Sequence, residues 1–90
     1  MIGGSRVGYH LVMPTAARIG GIRFFFYSNE GGEPPHVHAQ LERKIAKFWL
    51  EPVALAATGR FSAFELRSIE RIVVDNQGRF LEAWNEFFRR

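Results

Sequence analysis

Two hydrophobic periodicities divide the chain. Between Thr15 and Leu50 apolar residues alternate with polar ones or run together in short blocks, whereas beyond Ser62 they recur at spacings of three, four and seven. In Ile22 to Ser28 (IRFFFYS), Ile22, Phe24 and Phe26 share one face of an expected strand, and Arg23, Phe25 and Tyr27 share the other. Both faces are largely apolar, which predicts a central strand or one whose second face meets a helix or a partner. Ala16 to Ile19 reads as a shorter strand joined to it through Gly20-Gly21, a hairpin-type pair. His36 to Leu41, a turn at Glu42-Arg43-Lys44 and a return along Ile45 to Leu50 extend the sheet. Glu51-Pro52 is expected to end it, and Val53 to Thr58 reads as either a strand or a helical turn.

Ser62 followed by Glu65 is a capping box, in which hydroxyl and carboxylate each satisfy an orphaned backbone donor. Leu66, Ile69, Val73, Phe80, Trp84 and Phe87 then form one apolar stripe, interrupted at Asn76-Gln77-Gly78. The pattern predicts an α+β domain: a small antiparallel sheet of three to five strands packed by C-terminal helix, one kinked or two. Residues 1–12 are expected to be a flexible N-terminal extension, with Val7 to Val12 as an alternative edge strand, and residues 13–90 a single compact domain.

Composition narrows the chemistry. The chain has 90 residues, 47% of them hydrophobic, with nine Phe and two Trp, so large rings let a small domain build a core. The absence of cysteine removes disulfides, thiolate metal sites and thiol nucleophiles. No segment reaches the roughly 18 apolar residues needed to cross a bilayer, and the start lacks the apolar run of a secretion signal, so the expected location is cytoplasmic and no membrane partner is expected. Net charge is +3, and the excess lies in residues 1–49, which hold six basic and three acidic side chains against six of each in residues 50–90. Such a field is weakly favourable to polyanions and equally compatible with a solvated surface.

The segment EPPHVHAQ, residues 33 to 40, carries the candidate chemistry. On a strand His36 and His38 point to one face with Cα atoms about 7 Å apart. Three readings stand side by side. The imidazoles are structural and only hydrogen-bond; or they chelate a metal, which needs further ligands such as Glu30 or Glu33; or they share general acid and base work on an RNA phosphodiester, for which a pKa of about 6.5 suits imidazole. The last reading is metal-independent and calls for no cofactor. It assigns His36 and His38 as catalytic, Arg23 and Lys47 as phosphate-binding, and Tyr27 and Glu33 as orienting residues.

The blocks MPTAARIGGIRFFFYSNEGGEPPHVHAQ, AKFWLEPVALA, GRFSAFELRSIERIV and LEAWNEFF closely resemble the bacterial domain-of-unknown-function family 4160, over about Met13 to Phe88. Members are small prokaryotic proteins, often encoded beside another small uncharacterised protein in arrangements like toxin–antitoxin pairs. The resemblance therefore implies an RNA-directed toxin or its partner protein, with a cognate small protein encoded nearby. It supplies no catalytic residues. The expectation from a different class is a non-catalytic protein-binding module that docks a partner through its aromatic sheet face (Phe25, Tyr27) or its C-terminal helix (Phe88); oligomerisation is left open.

Overall fold

The computed structural model describes residues 14–89. The expected extension at residues 1–12, with its alternative strand at Val7 to Val12, lies outside them. The elements run β1 (Thr15–Ile19), β2 (Ile22–Phe25), β3 (His36–Leu41), β4 (Lys44–Leu50), β5 (Val53–Ala57), α1 (Ala63–Asp75) and α2 (Gln77–Phe87). The strands form one antiparallel sheet in sequential order, β1 to β5. Each strand pairs with the one before it, so the sheet is a continuous meander.

Strand alternation divides the sheet into two unlike faces. Ile22, Phe24, Val37, Ala39, Ala46, Phe48 and Leu50 are buried and meet Ile69 and Val73 of α1 and Phe80 of α2. Phe24 and Phe80 are in ring contact at 5.1 Å. Complete burial of side chains of this size contributes about 1.5–3 kcal/mol each. The opposite face carries Arg23 and Phe25 of β2, His36, His38 and Gln40 of β3, and Lys47 and Trp49 of β4. In register, Phe25, His38 and Lys47 form one cross-strand row, and His36 stands opposite Trp49.

Two sequence expectations are corrected. The strand anticipated over Ile22 to Ser28 stops at Phe25. Beyond it the Tyr27 N–H donates to Glu30 Oε1 (2.9 Å), so a side chain takes the donor that a longer strand would offer to its neighbour. Glu51-Pro52 does not end the sheet; it forms the turn into β5, which settles Val53 to Ala57 as strand. Beyond β5, Gly59 (φ +59°) passes so close to β4 that a Cβ there would run into the Ile45 carbonyl.

The capping box at α1 forms as its spacing predicts. The Glu65 N–H donates to Ser62 Oγ (3.1 Å), the Ser62 N–H donates to Glu65 Oε1 (2.8 Å), and Lys44 pairs with Glu65 Oε2 (2.9 Å). The helices separate at Asn76, whose side-chain amide donates to the Ile72 carbonyl (2.8 Å) and whose own carbonyl accepts the Phe80 N–H (2.9 Å). Gly78 lies inside α2, so the break belongs to Asn76 rather than to the glycine. Gln77 donates to the Leu50 carbonyl (2.6 Å), which fixes the start of α2 against the end of β4. Among the described residues no helix is long and apolar enough to cross a membrane.

Ser62→Ala should cost about 1 kcal/mol and lower the thermal midpoint by roughly 4–8 °C, read by circular dichroism. The Glu65 carboxyl lies below its ordinary value of 4.5, first because of the Ser62 N–H and then because of Lys44. Its contribution is therefore present above that ordinary value and lost as pH falls through the lower folded one. Urea midpoints between about pH 6 and pH 3 should fall less steeply in Glu65→Gln than in the parent.

Candidate functional site

The loop between β2 and β3 is folded by its own backbone into a cradle for one carboxylate. The Glu30 N–H donates to the Tyr27 carbonyl (3.1 Å), and the Glu33 N–H donates to the Glu30 carbonyl (3.0 Å). With the Tyr27 N–H bound to Oε1, these turns swing the Glu30 side chain back over the start of β3. The two prolines then join loop to sheet. The Pro35 carbonyl accepts the Leu50 N–H (3.0 Å), which continues the ladder, and the Pro34 carbonyl lies 3.0 Å from His36 Nδ1.

That last contact fixes the tautomer. A carbonyl oxygen only accepts, so Nδ1 carries the hydrogen and neutral His36 presents Nε2 as a lone pair. Nε2 is buried, lies 2.9 Å from Glu30 Oε1, and makes no hydrogen bond of acceptable angle. His38 Nε2 lies 3.1 and 3.0 Å from the two Glu30 oxygens. Glu30, His36 and His38 thus bring three potential ligand atoms within 4.8 Å of one another. His36 is 0% exposed, and the Glu30 side chain 13%.

Burial acts to raise the Glu30 carboxyl, but the Tyr27 N–H and the His38 imidazole outweigh it and hold the group below its ordinary value. His38 is lowered, first by burial, against the raising effect of Glu30 and with neighbouring His36 and Lys47 adding to the decrease. Both directions favour an ionised carboxylate beside a neutral imidazole. An ionised carboxylate and neutral imidazoles are the protonation states in which these groups can ligate a metal cation.

The rings around the cluster hold it rigid. Trp84 of α2 packs on His36 at 4.8 Å, and Trp49 meets the same ring edge-on at 5.6 Å. These are the chain's two tryptophans. Tyr27 stands edge-on to His38 at 4.8 Å, and Phe25 lies against it at 5.3 Å.

The residues singled out from sequence fall into two groups. His36, His38 and Tyr27 come together directly. Glu33 lies at the rim, with Oε1 3.7 Å from His36 Nδ1 and 2.8 Å from the Lys47 ammonium. Lys47 also stacks over Trp49 at 4.5 Å. Arg23 sits one pair further along the sheet, its Nε donating to Thr15 Oγ1 (2.8 Å) and its guanidinium 4.5 Å over Phe25. Of the rings named for an aromatic docking face, Phe25 is fully buried, and Tyr27 and Phe88 are half-buried; among the described residues the exposed rings are Phe64 and Phe87, on the helices.

The sequence offers Glu30 only as one of two carboxylates able to complete a metal set, and nothing in its spacing marks Trp84 as a neighbour of His36. The available signal for Glu30 was its place in a turn after a strand ending in aromatics. Nothing in the spacing shows that its carboxylate turns back toward residues six and eight positions ahead.

No curated protein and no solved structure matches the chain. The family model described as Domain of unknown function (DUF4160) matches residues 21–85, which include the loop, both histidines, the whole of α1 and most of α2. The chain belongs to the DUF4160 family.

Proposed function

We propose that the protein is a metal-dependent enzyme of hydrolytic type, built on Glu30, His36 and His38. The observation that carries this reading is the buried His36 Nε2, close to a carboxylate yet at an angle that makes no hydrogen bond. Neighbouring ligands of an ion bound at about 2.1 Å stand about 3.0–3.4 Å apart, with each lone pair aimed at the ion rather than at the other ligand. The 2.9 Å separation of His36 Nε2 and Glu30 Oε1 is close to that spacing. The Pro34 carbonyl plays the outer-shell part usual for a ligating histidine, holding the opposite ring nitrogen. Two imidazoles and one carboxylate suit zinc and related divalent transition metals, and three protein ligands leave a position for water. Bound there, such an ion lowers the pKa of its water and supplies a nucleophile at neutral pH.

The metal-independent reading, with both histidines as acid and base on RNA, fits less well. His36 is fully buried, with Nδ1 engaged by the Pro34 carbonyl and Nε2 turned into the cluster, so it has no face toward an external phosphodiester. His38 and Glu30 retain slight exposure and form the open side.

Chelator-stripped protein should bind zinc one to one, detected by calorimetry and by a change in emission, since both tryptophans touch His36. At about 100 times its dissociation constant, zinc should add about 2.7 kcal/mol of stability. Glu30→Gln and His38→Gln, shown by circular dichroism to fold, should bind at least about 100-fold more weakly, above the roughly tenfold to hundredfold cost of losing an outer-shell partner. Absence of stoichiometric binding, or equal affinity in both variants, refutes the metal centre. RNA cleavage that persists in chelator and is lost in His38→Gln would return the acid–base reading to first place.

A further inference from the structure

The segments that carry Glu30 and His36 meet outside the cluster as well as within it. Phe26 directly precedes Tyr27, whose N–H holds Glu30 Oε1 (2.9 Å), and the Phe26 ring is buried. That ring stands edge-on to Trp84 of α2 at 5.3 Å, and Trp84 lies on the His36 ring at 4.8 Å. Trp84 therefore touches one of the clustered side chains and the chain neighbour of the residue that aims another. Phe88 packs on Trp84 at 4.3 Å and on Phe26 at 5.4 Å, and Phe87 meets Phe26 at 5.7 Å. The end of α2 thus closes on both segments as a clasp of rings.

The two ends of α2 are held differently. At its start Gln77 donates to the Leu50 carbonyl (2.6 Å), and Phe80 is buried in the core. At its end burial falls away, with Phe87 43% exposed. Helix ends open locally at lower free energy than core elements, because they give up fewer buried contacts.

Resting on the metal reading, we infer that metal occupancy and closure of the α2 clasp are coupled, with Phe26 and Trp84 as positioning residues for the ligands. With the clasp closed, the His36 ring is confined between Trp84 and Trp49, and the Glu30 loop is tied to the same joint through Phe26. The ligand atoms are then in place before an ion arrives, and little ordering is charged to binding. With the clasp open, His36 regains rotation and the ion must order it, so affinity falls. The coupling is reciprocal: an ion that fixes His36 gives Trp84 a settled surface and holds the end of α2 closed by the same factor. The last turn of α2 becomes a control point, since drawing Phe87 and Phe88 away weakens the centre without touching a ligand.

The test compares cobalt(II) binding, read from the visible spectrum, in the full chain and in variants shown by circular dichroism to fold. Trp84→Leu and Phe26→Leu should each weaken binding about tenfold, as outer-shell and coupled contacts do. Trp84→Phe keeps a ring against His36 and should recover most of the loss. Phe80→Leu loosens the core from the same helix and should leave cobalt affinity close to that of the parent. In the unsubstituted chain, zinc should slow amide hydrogen exchange at residues 84 to 88 more than in α1. Affinity unchanged in both Trp84→Leu and Phe26→Leu, or reduced as much in Phe80→Leu as in Trp84→Leu, overturns the coupling and leaves the metal centre standing. Exchange at the end of α2 that is indifferent to zinc does the same, and that measurement needs no substitution to fold. Failure of the unsubstituted chain to bind cobalt overturns the metal reading and this inference together.

Discussion

The hydrogen bond from His36 Nδ1 to the Pro34 carbonyl is the constraint on which the site depends. A free imidazole exchanges its two tautomers and turns about two side-chain bonds. Here a carbonyl two residues earlier removes the first freedom, while Trp49 and Trp84 remove the second. What remains is a single nitrogen lone pair with one direction, facing the Glu30 carboxylate. Proline contributes twice, because its fixed φ limits where that carbonyl can point and because it gives up no N–H that would then need a partner. The pair of prolines before the histidines is thus a means of aiming one ring.

The two faces of the sheet divide the work. The face covered by the helices is apolar and close-packed, and its Phe, Val and Leu side chains give a small chain its stability. The other face mixes rings with ionisable groups that have defined neighbours: Glu30 its Tyr27 N–H, Lys47 its tryptophan and carboxylate, Arg23 its threonine and phenylalanine. The α2 helix joins the two regions, since Phe80 belongs to the core while Trp84, one turn later, lies on His36. Any displacement of the end of α2 therefore reaches the imidazole directly.

Much of the fold was legible because its signals are local. The Ser62–Glu65 spacing, the alternation through β3 and β4 and the stripe through the helices each rest on residues within one element. The sequence misled where a tertiary contact overrode propensity. Phe26 and Tyr27 read as strand, yet the Tyr27 N–H is taken by Glu30, and Pro52 read as a terminator although it sits in a turn between paired strands. His36 and His38 were legible as a same-face pair. Glu30 was not legible as their companion, because a loop carboxylate has no periodicity and its direction is set by hydrogen bonds that the sequence does not display.

The sheet's sequential order has a kinetic side. Glu30, His36 and His38 fall within nine consecutive residues and are brought together by one loop and the first three residues of one strand. Closing so short a segment costs little chain entropy and takes place on the timescale of local loop formation, well before distant parts of a chain must meet. The carboxylate and imidazoles can therefore approach one another during synthesis, once β3 has emerged and before α2 exists to cover them. In that interval the cluster is open to solvent on the side that Trp84 later occupies, so the helix acts as a lid installed by the order of translation.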